Sequence, residues 1–257
     1  MTTQNLLETR ALTVEIAGKQ VCRGLALVVK PGECWGILGV NGVGKTTLLH
    51  TLAGLRPPAV GEILVEDAPL AAMPRKQAAR KIGLLPQSSE DPFPSTLLET
   101  ALIGRHPYLA RLEWESSKDE AIAKDALARV GLGGMHERLA HTLSGGERRL
   151  LALATLLTQD PPLYLLDEPS NHLDLHQQIA VLDLLRDRTR AGTSMVMVLH
   201  DVNLAVRYCN RVLLLYGDGQ TEQGDMQTVI NEERLSRLYH HRVVALADRN
   251  RSVFVPG

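Results

Sequence analysis

The chain has 257 residues, 44% hydrophobic and 22% charged, with a formal net charge of −1. That length allows a substantial buried core, and the near-neutral balance gives no electrostatic reason for nucleic acid or an anionic membrane surface to be the main partner. Cys22, Cys34 and Cys209 are widely spaced and fit no metal or disulfide framework, which predicts free thiols in a reducing compartment. The opening MTTQNLLETR lacks the apolar core of a secretory leader, and no run reaches the ~18 apolar residues of a membrane helix. Any work at a membrane is therefore expected of a peripheral subunit.

From the N-terminus, ALTVEIAGKQV and GLALVV read as β-strands, and KPGE marks a turn before the apolar strand CWGIL. GVNGVGKTTLLHTLAGL follows directly, a glycine-rich turn running into an amphipathic helix that stops near Gly54 and Pro57. That order predicts a βα unit of a parallel sheet. The strand GEILVED, the helical stretch PRKQAARK and the strand IGLLPQ come next. From Ser88 to about Asp160 helical periods dominate, in STLLETALIGR, SSKDEAIAKDALARVGL and GGERRLLALATLLTQ, with Thr96 and Glu99 at capping-box spacing. The α/β alternation resumes with PLYLLDEP, LHQQIAVLDLLRDRTRAG, TSMVMVLHD, VNLAVRYC and NRVLLLYGDG. After Gly219, QTVINEERLSRLY is helical, and RVVALA and SVFVPG are strand candidates. The expected organisation is a single domain, with an α/β core over 1–87 and 161–218, an inserted helical subdomain over 88–160 and a C-terminal tail over 219–257.

Chemistry concentrates at strand ends. Gly39, Val40, Asn41, Gly42, Val43, Gly44, Lys45 and Thr46 match G-x-x-x-x-G-K-[ST] between a strand and a helix, the context that such a phosphate loop requires. Its consecutive backbone N–H groups, continuing into Thr47, can cradle phosphate oxygens; Lys45 supplies charge for the β and γ phosphates, and the Thr46 hydroxyl is placed for Mg²⁺. In LYLLDEP an apolar strand delivers Asp167 and Glu168 to its C-terminal end, the edge where open α/β sheets bind ligands. Alternation along the strand and a turn at Pro169 would separate their roles, Asp167 serving the metal shell and Glu168 orienting or deprotonating a water. VMVLHD ends in His200 at the same edge, within reach of a γ-phosphate. Gln87 closes the strand IGLLP, where it can link the metal site to the helical insertion.

A fourth feature is LSGGE. Ser144 can cap a helix and Glu147 can complete the capping box, but two glycines cost helix stability if they fall in the first turn. What Gly145 and Gly146 offer is close approach to bare backbone N–H groups at the positive end of a helix.

Together these segments resemble the nucleotide-binding subunits of ABC transporters over essentially the whole chain. GVNGVGKT is similar to Walker A, Gln87 to the Q-loop glutamine, LSGGE to the signature, LYLLDE to Walker B, SNHLD to the D-loop and His200 to the switch histidine. The resemblance implies a P-loop NTPase (RecA-like) core with an N-terminal antiparallel β subdomain and a helical subdomain carrying the signature. It also implies ATP and Mg²⁺ as ligands, with Thr46, Gln87 and Asp167 at the metal and Glu168, His200 and Gln87 in catalysis. Two subunits would pack head to tail, so that Ser144, Gly145, Gly146, Glu147 and Asp174 meet the ATP of the partner chain. ALIGRHPY and RLSRLYHHRVVALADRNRSVFVP resemble the ATPases of bacterial importers for iron-siderophores, haem or cobalamin. This implies permease subunits, a periplasmic binding protein and a position on the cytoplasmic face of the inner membrane. The chain departs from the family at three positions. Ile16 stands where an aromatic residue usually stacks on adenine, and Leu150 and Thr155 replace two arginines after the signature, with the expected loss of their polar contacts. Rival readings are a soluble ABC ATPase of translation or DNA repair, and a poorly hydrolysing regulatory cassette.

Overall fold

The computed structural model describes residues 4–87, 94–248 and 251–257. The expected start of the helical insertion at 88, the first three residues and part of the run ADRNRSV lie outside the described residues.

The chain begins with an antiparallel sheet. Strands β1 (Leu7–Ile16) and β2 (Lys19–Leu25) form a hairpin through Ala17 and Gly18, both at positive φ, the backbone that matches the twist of a two-residue hairpin. The short β3 (Val28–Val29) pairs with the start of β1. The second sheet has the order β11-β10-β4-β9-β8-β7. It comprises β4 (Cys34–Leu38), β7 (Ile82–Leu85), β8 (Leu163–Asp167), β9 (Ser194–Val198), β10 (Arg211–Leu215) and β11 (Thr221–Asp225). All pairings are parallel except β10 with β11. Between these strands lie α1 (Lys45–Leu52), then β5 (Val60–Val65) and β6 (Ala68–Pro69), which return to the first sheet, and α2 (Arg75–Lys81).

Alternation in the parallel strands builds a core on each sheet face. Trp35, Ile37, Leu163, Leu165, Val196 and Val198 face α1 and the antiparallel sheet. Leu38, Tyr164, Leu166, Met195 and Met197 belong to the opposite core, which continues into the helical region. There α3 (Leu97–Leu102), α4 (Ser117–Arg129) and α5 (Gly145–Gln159) pack together. Each starts with a complete capping box: Thr96 with Glu99, Ser116 with Asp119 and Ser144 with Glu147. The long α6 (Leu175–Arg190) and α7 (Val202–Tyr208) cover the same face.

The tail needs correction. Residues 221–225 form β11, an antiparallel edge strand on β10, so the core sheet runs past the expected boundary at 218. Beyond it, α8 (Met226–Val229) and α9 (Glu232–Tyr239) lead to the hairpin β12 (Val243–Asp248) and β13 (Arg251–Pro256). The Asn203 amide of α7 donates to the Phe254 carbonyl at 3.0 Å and accepts from its N–H at 2.8 Å, anchoring the hairpin three residues after His200.

Candidate active site

Register brings the chemistry to one edge. Val198 pairs with both Ile37 and Asp167, so β4, β8 and β9 release the glycine loop, the acidic pair and His200 side by side. Leu85 pairs with Leu166, which carries Gln87 to the same edge one strand further on.

The glycine loop turns tightly into α1. Gly44 caps this helix at φ 105°, and a Cβ there would run into the Val21 side chain of β2, so glycine is required on both counts. That contact seats the β1–β2 hairpin on the loop, and Ile16 packs half-buried in the same apolar cluster as Val40 and Val43. An apolar surface is present where the sequence lacks an aromatic ring. Lys45 is 6% exposed. Its ammonium donates to the Gly39 carbonyl at 2.7 Å and the Val40 carbonyl at 3.1 Å, inside the curve of the loop. Burial lowers its pKa, while the charges of Glu168 and Asp167 act the other way.

Asp167 is 0% exposed, and neither carboxylate oxygen has a hydrogen-bond partner among the described residues. Burial and the neighbouring charge of Glu168 push its pKa up, opposed by the nearby Thr46 hydroxyl, which is not in hydrogen-bonding geometry with it, and by the Arg149 guanidinium. A buried, unsatisfied carboxylate is costly unless something else binds it, and a divalent cation is the fitting chemistry. No cluster of three or more His, Cys, Asp or Glu suited to a metal exists among the described residues. A cation here would rely on one carboxylate, one hydroxyl, the Gln87 side-chain amide and phosphate oxygens, a sparse protein set of the kind Mg²⁺ accepts.

Glu168 is 7% exposed and has a left-handed backbone, φ 52°. The re-aiming expected of Pro169 thus happens one residue earlier, at Glu168 itself. Its carboxylate accepts from the Asn171 amide and pairs with His200 Nε2. The base candidate is therefore held by two groups of its own chain.

At LSGGE the cap is as expected: the Glu147 N–H donates to Ser144 Oγ at 3.2 Å, and the Ser144 N–H to the Glu147 carboxylate at 2.8 Å. Arg138 also pairs with Glu147 at 2.7 Å. The Glu147 carboxylate thus carries the expected cap and an ion pair within its own chain. The two glycines differ. A Cβ on Gly146 would lie 3.1 Å from the His172 carbonyl, so its close approach is to the chain's own loop, whereas Gly145 faces open space. Ser144 and Gly145 are exposed, as is Asp174, which caps α6 through a 2.8 Å bond from the Gln177 N–H.

Residue type and spacing do not single out Arg149 or Asn171; their contacts do. Arg149 is 6% exposed and donates to the carbonyls of Pro86, Gln87, Asp167 and Glu168. Beside the two departures α5 has anchors of its own: Arg149 ties it to the strand ends, Leu150 is buried in the core, and the Thr155 hydroxyl lies within reach of the Leu151 carbonyl at 3.1 Å and the Thr100 carbonyl at 3.3 Å. For Asn171 the signal is its place within SNHLD; for Arg149, it is an arginine next to Leu150, where the family has one.

Residues 22–171 match the family model for the ABC transporter. The chain is 39% identical over 231 residues to the petrobactin import ATP-binding protein FpuD of Bacillus anthracis, covering 90% of this chain and 85% of that one. It is also 39% identical over 232 residues to the hemin import ATP-binding protein HmuV of Streptomyces coelicolor, covering 90% and 82%. Among solved structures, a chain of an inward-facing ABC transporter described as being of the metal-chelate type superposes with a TM-score of 0.84 at 28% identity, covering 98% and 97%. A dimeric post-hydrolysis ATP-binding cassette bound to ADP and Pi gives 0.76 at 25% identity, covering 86% and 98%. A phosphate loop, an acidic strand end, a histidine on the next strand and a capped LSGGE helix thus coincide with a match over most of the chain: it belongs to the ABC transporter family of ATP-binding subunits.

Proposed function

We propose that the chain is the ATP-hydrolysing subunit of a bacterial importer for an iron-siderophore, haem or cobalamin-type substrate. It works as a homodimer on the cytoplasmic face of the inner membrane, docked on permease subunits that receive substrate from a periplasmic binding protein. The observation that carries the dimeric reading is the exposed Ser144–Gly145 turn, an anion-binding helix start whose own chain offers it no phosphate. The substrate class rests on the relatives that import petrobactin and hemin. No helix among the described residues is long and apolar enough to cross a membrane. Leu112 and Trp114, 93% and 86% exposed between α3 and α4, are apolar side chains left for a permease to cover.

In this reading the loop of Gly39 to Thr47 binds the phosphates, and Lys45 exchanges its two carbonyls for the β and γ oxygens. Thr46, Asp167 and Gln87 would hold Mg²⁺, which would supply neutralisation of phosphate charge. Glu168 takes the proton of the attacking water once His200 has left it for the γ-phosphate, and Ser144, Gly145 and Asp174 of the partner chain close the site. The experiment is to assemble the chain with its permease and measure ATPase activity with binding proteins loaded with ferric siderophore, haem or cobalamin. Stimulation by one of the three is expected. A chain that copurifies with no permease, or a complex indifferent to all three, would overturn the importer reading.

A further inference from the structure

Strands β7 and β8 pair as far as Leu85 and Leu166, and then diverge toward Gln87 and Glu168. The gap beyond that last rung is filled by a side chain from neither strand. One Arg149 amino group donates to the Pro86 and Gln87 carbonyls, and the other to those of Asp167 and Glu168, the last at 3.0 Å. Among the described residues no carboxylate accepts from this guanidinium. Burial lowers its pKa to about 10, so it stays charged at neutral pH, with backbone carbonyls as its hydrogen-bond acceptors. Arg149 is rooted in α5, five residues after the cap Ser144.

We infer that Arg149 is a positioning residue that sets Gln87 and Glu168 at a fixed spacing and ties both to the signature helix of the same chain. The inference rests on the reading that this helix closes on a partner's ATP. A push on Ser144 by that nucleotide then reaches the chain's own Glu168 backbone through one rigid helix and one planar fork. In this way occupancy of one ATP site adjusts the other. Lysine cannot substitute fully, because a single ammonium cannot span four carbonyls on two strands.

The test uses full-length Arg149→Gln and Arg149→Lys, with nucleotide affinity measured by a fluorescent ATP analogue alongside kcat and KM. Affinity is expected within about threefold of wild type, while kcat falls about tenfold or more in Arg149→Gln and is partly recovered in Arg149→Lys. A kcat within about twofold of wild type in both, or a kcat loss matched by equal loss of nucleotide binding, would overturn the inference. Ser144→Arg, measured in parallel, separates the two failures. Wild-type hydrolysis in Ser144→Arg overturns the partner-site reading, whereas its loss beside normal Arg149 variants overturns the positioning role alone.

Discussion

Glu168 combines burial, a left-handed backbone and two side-chain partners, a costly arrangement that stability alone would not select. Glu168→Gln keeps the amide-compatible contacts but loses the base. We expect it to bind ATP, to accumulate as a closed dimer in size-exclusion chromatography with ATP, and to lose about a thousandfold in kcat. Wild-type turnover would sink the assigned role. Asp119 offers a residue-scale test of stability. Its capping bonds to Ser116 and its ion pair with Arg105 hold its pKa at about 2, below the ordinary 3.8. With a depressed folded pKa, the carboxylate's contribution is complete above the ordinary value and is lost as pH falls through about 2. Asp119→Asn should cost about 1–3 kcal/mol at neutral pH, with the gap to wild type in denaturant titrations closing between roughly pH 4 and 2. The acidic pair and His200 were legible in sequence because each ends an apolar strand. The Arg149 contacts were not, because their acceptors are backbone carbonyls, which leave no mark in residue types.

At the scale of elements, buried parallel strands such as LYLLD and SMVMV announce themselves as apolar runs, and the capping boxes at Thr96 and Ser144 as fixed spacings. Strand β11, TEQGD, carries no such signal: as a half-exposed edge it is chosen by its ladder with β10, and no apolar face of its own defines it. The same limit applies to α5. Sequence treats Leu150 as a missing arginine, whereas the structure buries it in the core between sheet and helices. Restoring the arginine would force a charge into that core. Leu150→Arg is expected to lower stability by about 3 kcal/mol or more, and Thr155→Ala by about 1 kcal/mol, with thermal melts as the measure. A Leu150→Arg protein as stable as wild type would mean that α5 can roll to expose that position.

For the whole molecule, the division of labour follows from where each helix starts. The N-terminus of α1 serves the chain's own phosphate loop, while the N-terminus of α5 opens on solvent. Ser144→Arg should abolish hydrolysis in the homodimer and leave ATP binding at Lys45 intact, read by the same fluorescent analogue. Mixed with Lys45→Ala chains, it should regain one working site per heterodimer if the two halves belong to different chains.

All three cysteines, Cys22, Cys34 and Cys209, are buried, and burial pushes the Cys22 thiol up to about 11. The folded protein is thus silent to thiol reagents, and should react with three equivalents only on denaturation, a direct optical clock for unfolding. It also means that the native chain is its own unlabelled background. A cysteine introduced at Ser144, paired with one at the exposed Asn41 on a second copy, would report dimer closure as a crosslink, without first removing any natural thiol.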